Sequence, residues 1–204
     1  PAPTPAREVV ERIQQRLDAG KIDILIVDDN SGSMQTDQRK LGQKFANFVS
    51  QLGDVDYRIA VTTTDLDGDY LGAQGTLATA KNSKLSVITP QTENASQAFL
   101  NLVHRRELGS PDEQSMGAAV WAIRRARSEN AGFFREGVDL AIVVLTDEDE
   151  LSYGPKFATQ PEEVIRTFRN VFGTTKRLSA YGIIIQPGDQ TCLKAQQEED
   201  MGST

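Results

Sequence analysis

Lys21 to Met34 reads KIDILIVDDNSGSM, an apolar run from Ile22 to Val27 that stops abruptly at Asp29-Asn30-Ser31-Gly32-Ser33. The run is too short for a helix, is rich in β-branched residues and is closed by turn formers, which is the pattern of a strand buried on both faces of a parallel sheet. Its carboxyl end delivers Asp29, Ser31 and Ser33 at alternate positions of a tight loop in which Gly32 relaxes the backbone. One carboxylate and two hydroxyls grouped in this way suit a hard cation such as Mg2+ or Ca2+. The same residue types build Asx and Ser/Thr turns that cap a following helix. Position favours the cation, because open α/β sheets place ligands beyond the carboxyl ends of their strands.

Working outward, Leu41, Phe45, Phe48, Val49 and Leu52 keep helical spacing up to Gly53, and Tyr57 to Thr64 (YRIAVTTT) reads as the next strand. Two short extended segments, Thr76 to Thr79 and Leu85 to Thr89, suggest a hairpin on the edge of the sheet. Ser96 to Arg105 reads as helix, and a further helix is expected to start at Ser110-Pro111-Asp112-Glu113, with Met116, Ala119, Val120, Ile123 and Ala126 as its buried stripe. Val138 to Asp147 is the second strong parallel strand, Pro161 to Phe172 a helix, and Arg177 to Gln186 the last clear strand. Strands alternating with helices in this way predict an α/β fold on a parallel sheet. Upstream, residues 6–18 place Val9, Val10, Ile13 and Leu17 on one helical face, so residues 1–20 read as a linker and a short amphipathic helix. The domain proper then covers 21–187, and 188–204 is a polar tail.

The 204 residues are enough for one substantial core, and 38% hydrophobic with 25% charged residues is an ordinary globular balance. A net charge of −7 argues against a nucleic-acid or anionic-membrane surface, since nothing offsets phosphate repulsion. No apolar stretch approaches the roughly 18 residues that would cross a bilayer. Cys192 is the only cysteine, which rules out an internal disulfide and a Cys-ligated zinc centre. His104, the only histidine, sits beside Arg105 and Arg106 near a helix end, where capping explains it. Trp121 and Tyr181 read as core or helix-surface packing. The Pro/Ala stretch PAPTPA is of the kind that links a domain to an anchor or follows a cleaved signal. It leads to the expectation of an exported protein in the periplasm, outer membrane or cell surface.

D-N-S-G-S-M after an apolar strand resembles the opening of a von Willebrand factor A domain and its metal-ion-dependent adhesion site, and Leu145-Thr146-Asp147 is a second point of likeness. The resemblance implies a doubly wound, mostly parallel sheet flanked by helices. It also implies a Mg2+ ion (or Ca2+ or Mn2+) held by Asp29, Ser31 and Ser33, by a residue of a second loop, and by Asp147 through a water. A protein partner's acidic side chain then completes the coordination. Aligning Met116-Gly117-Ala118 with the helix after the family's second-loop Thr puts Glu113 at the Thr position. Two readings of Glu113 stand open: a metal ligand, or the last member of an S-P-D-E capping box. Asp147 departs from the family in being followed by Glu148, Asp149 and Glu150, a solvated acidic loop, rather than by Gly. A complete member would carry a further helix and strand after Gln186, so the sheet is expected to be one strand short or the sequence to stop early.

K-I-D-I-L-I-V-D-D-N also resembles the start of a receiver domain, but the strand ending at Thr62-Thr63-Thr64-Asp65 and the late Asp147 do not supply its phosphoacceptor in time. Asp65, Asp67 and Asp69 alternate like half an EF-hand loop, yet Tyr70 stands where Gly is needed and Thr76 where the closing Glu belongs, so an acidic surface loop is expected. No nucleophile with its base is evident, and no G-x-S-x-G elbow surrounds Ser31 or Ser33. A protein-binding module is therefore expected, not an enzyme. The alternatives are a Mg2+-dependent phosphoryl-transfer or hydrolase site on the same edge, and a metal that only orders loops.

Overall fold

The strand quoted above spans Lys21–Asp28 (β1), followed by Asp56–Thr63 (β2), Val87–Ile88 (β3), Asp139–Leu145 (β4) and Leu178–Ile183 (β5). They form one sheet in the order β3-β2-β1-β4-β5, parallel throughout except that β3 runs antiparallel to β2. The computed structural model describes residues 20–31, 34–67, 74–80, 83–103, 112–147, 150, 158–184, 188–191 and 194. The expected helix over 6–18, Ser33, Asp69, His104, Glu148, Asp149, Cys192 and the end of the tail lie outside them.

The apolar run of β1 is explained by its two faces. Ile24 and Ile26 enter a cluster with Tyr57, Ile59, Phe45, Phe99 and Leu102 beneath the helices Gln35–Leu52 (α1) and Ala95–Val103 (α2). Leu25 and Val27 enter a second cluster with Leu140, Ile142, Ile123, Val164 and Phe168 beneath Ser115–Arg124 (α3) and Pro161–Phe172 (α4). Each such side chain taken from water is worth about 1.5–3 kcal/mol, so a strand in the middle of three layers has no position for a polar side chain except at its ends. The fold is α/β, with helices on both faces of a mostly parallel five-stranded sheet.

Local chemistry fixes the helix ends. α4 has Pro161 at its start after an extended Gln160, acidic Glu162 and Glu163 in its first turn, and Gly173 at φ +76 closing onto the Arg169 carbonyl at 2.9 Å. Gly42 lets α1 and α2 approach closely, since a Cβ there would lie 2.4 Å from Leu100 Cδ1, and beside it Phe45 and Phe99 stack with centroids 3.9 Å apart.

Three expectations are corrected. The segments 76–79 and 85–89 make no strand ladder with each other among the described residues, and one backbone bond, from Ala80 N–H to Leu85 O at 2.8 Å, joins them at the turn. Val87 and Ile88 pair with Ala60 and Ile59, while Ala78 donates its N–H to Val61 O at 2.7 Å, so both segments complete the edge of β2 that β1 leaves open. The third helix starts at Ser115 and not within S-P-D-E, because Gln114 is non-helical (φ −129°, ψ 62°) and Asp112 and Glu113 before it lie outside any helix. Tyr181 is not packed: β5 is the outer edge of the sheet, and Tyr181, Ile183 and Ile184 are all more than half exposed. Trp121 lies on the surface of α3 as expected, with the Arg125 guanidinium 4.6 Å from its ring centre.

At the amino end of the sheet, Asp23 is fully buried and receives the Arg135 backbone N–H and Nε, each at 2.7 Å, with Lys176 Nζ at 3.6 Å. Lys176 also lies over the Phe172 ring at 4.5 Å, and burial lowers its pKa against the raising pull of Asp23.

Candidate metal site

The strand ends are fastened to one another just past the regular ladder. Thr64 donates its N–H to Asp28 O (3.1 Å), Asp29 to Leu145 O (2.9 Å), Thr146 to Ile183 O (3.3 Å) and Gln114 to Thr64 O (3.2 Å). These bonds carry the register Asp28↔Thr63 and Asp28↔Leu145 one residue further. The loops after β1, β2 and β4, and the entry to α3, therefore leave from a single edge.

Asp29 is the best-defined group there. It is fully buried, its Oδ1 accepts the Ser31 N–H at 2.8 Å, and its Oδ2 accepts the Thr146 hydroxyl at 2.8 Å. An Asx turn and a neighbouring strand end thus hold the two oxygens in fixed directions. Gln38, buried in the first turns of α1, donates its side-chain amide to Asp28 Oδ2 (3.1 Å) and to Asp29 O (2.8 Å), tying the loop to the helix behind it. Asn30 is 4% exposed, and its Oδ1 has no hydrogen-bond partner among the described residues, an acceptor that a nearby donor or cation would satisfy.

Glu113 is 1% exposed, and its carboxylate accepts a hydrogen bond from the hydroxyl of Thr64, the residue just beyond β2. Its capping-box partner, Ser110, lies outside the described residues. The N–H groups of Met116 and Gly117 are bonded to Glu150 Oε2 (2.7 Å) and Oε1 (3.1 Å), so Glu150 is a structural partner of α3 rather than part of a solvated loop. Asp147 follows Thr146 at the end of β4, on the same edge as Asp29. Asp65 accepts the Asp67 N–H at 2.9 Å and Gln74 donates to its carbonyl at 3.2 Å, so it acts as a turn former.

Asp28, Asp29, Asp65 and Glu113 are thus all buried at this edge, while the one buried basic side chain among the described residues, Lys176, lies at the opposite end of the sheet. Grouped carboxylates raise each other's free energy when ionised, and a cation among them removes that penalty. Among the described residues, no three of His, Cys, Asp and Glu are placed to hold a metal by themselves. A D-x-S-x-S site would draw on hydroxyls as well, and a donor set of carboxylate and hydroxyl oxygens fits Mg2+.

Sequence reading named Asp29, Ser31, Ser33, Glu113 and Asp147 as candidate ligands, and it gave no role to Thr64, Thr146, Gln38 or Glu150, whose hydrogen bonds hold this edge together. The tripeptides T-T-D and L-T-D at the strand ends were the available signal for the two threonines. Beside the edge, an apolar groove of about 480 Å3 opens between α3, α4, β4 and β5, bordered by Met116, Val164, Tyr181 and Ile184 with Asp147 and Glu150 at one end.

No family model matches the chain, and no curated protein matches it. Among solved structures it is similar to proximal thread matrix protein 1 from the mussel byssus, at 12% identity and a TM-score of 0.44, over 88% of this chain and 41% of that one. The chain spans less than half of that protein's length.

Proposed function

We propose that the chain is a von Willebrand factor A-type binding module that takes Mg2+ at the carboxyl edge of its sheet and offers it to an acidic side chain of a protein partner. Asp29, Ser31 and Ser33 would bind the ion, with Glu113 and Asp147 completing the set from the second and third loops. The observation that carries this reading is the Asp29 carboxylate: buried, oriented by Ser31 and Thr146, and standing on the edge to which Glu113 and Asp147 also belong. The apolar groove beside Asp147 supports a protein partner, since it can take an apolar side chain next to the acid that meets the ion.

The test is titration calorimetry with MgCl2. The wild type should bind and Asp29→Ala should give no heat of binding. Equal Mg2+ affinity in the two would remove Asp29 from the site and the proposal with it.

A further inference from the structure

Helix α3 lacks a cap of its own. Gln114, at its N-cap position, makes no side-chain bond to the helix, and the second and third residues, Met116 and Gly117, give their N–H groups to the two oxygens of Glu150. Those are the amides that an N-cap side chain ordinarily satisfies. The substitute comes from the far end of β4, three residues beyond Asp147. On its other side, the entry to α3 is tied to the end of β2 through Thr64, by the Glu113 carboxylate and by the Gln114 N–H. The start of α3 is therefore a bridge between two loops, one carrying Glu113 and the other Asp147.

We infer that Glu150 is the positioning residue of the cation site. The inference rests on the Mg2+ reading above. Uncapped amides at the positive end of a helix draw the nearest carboxylate to them. Asp112 is engaged by the Gln114 side-chain amide at 3.2 Å, and Glu113 and Asp147, on the two loops that the helix start joins, are the groups that would face the ion. With both of its oxygens committed to Met116 and Gly117, Glu150 meets that demand and leaves Glu113 and Asp147 to the cation. It acts through the geometry of the two loops and is not itself a ligand.

The experiment compares wild type, Glu150→Ala, Glu150→Gln and Asp29→Ala by MgCl2 calorimetry and by amide hydrogen exchange at Met116 and Gly117. Loss of an outer partner of a metal ligand typically weakens affinity roughly tenfold or more. Glu150→Ala should show that loss together with faster exchange at both amides, and Glu150→Gln, which keeps one acceptor oxygen, a smaller change in each. Asp29→Ala should lose Mg2+ while the two amides stay slow, which separates the ligand from the residue that positions it. Unchanged Mg2+ affinity in Glu150→Ala, or in Glu150→Gln where the alanine variant does not fold, overturns the inference and leaves the Mg2+ site standing. Failure of the wild type to bind Mg2+ overturns both.

Discussion

The hydroxyl of Thr146 is a small group with a large duty, since it directs one oxygen of a carboxylate that has no access to water. Thr146→Val keeps the shape and removes the donor, leaving Asp29 Oδ2 buried with its bond unmade. A loss of about 1–3 kcal/mol is expected in urea unfolding, with weaker Mg2+ binding, since the oxygen is no longer held in direction. A variant as stable as the wild type would show that this bond does not hold the site. At this scale the sequence was informative about residues that act within one loop. Asp29 and Ser31 are two positions apart, and their contact follows from local turn chemistry. Thr64 with Glu113 and Glu150 with α3 are contacts across 49 and 33 or more residues, which only the closed sheet creates. Glu113 is instructive, because its spacing suggests a local capping box while its bond to Thr64 is made across the sheet edge.

Among the elements, α1 and α2 are joined by the stacked rings of Phe45 and Phe99, both at most 2% exposed. Phe99→Ala should cost about 3–5 kcal/mol, read as a fall in the denaturant midpoint, because two helices and the sheet cannot all move in to fill the space. A loss under 1 kcal/mol would mean that this layer relaxes freely. The strands and α4 were legible because each carries its own signal: a continuous apolar run for β1 and β4, and a proline, two acids and a closing glycine for α4. The start of α3 was not, because its cap is supplied from elsewhere in the chain. The segments 76–79 and 85–89 look like partners by spacing alone. The unpaired side of β2, apolar and buried, competes for their backbone groups and takes them.

For the molecule as a whole, alkaline pH gives a test of how the first core is closed. Tyr57 is 4% exposed, and burial raises its phenol above the ordinary value of 10.0. The unfolded chain then releases this proton before the folded one, so stability should fall as pH climbs past 10. Lys176 has the opposite sign, its lowered pKa making stability rise toward 10.5 from below. Tyr57→Phe should therefore flatten the alkaline fall in unfolding free energy measured across pH 9 to 11 while Lys176 is untouched, about the range where a tyrosine titrates. An unchanged slope would place the phenol in water. The parallel sheet was readable from the alternation of elements, but its order was not, since nothing in the sequence tells β1 to lie between β2 and β4. That order has a mechanical consequence. A load applied between the start of β1 and the end of β5 pulls β1, β4 and β5 lengthwise past one another, because all three point the same way. The rungs of both ladders would bear that force in shear, together and not one at a time as in an opening zip, so the sheet should resist stretching along its strands far better than peeling at its open side.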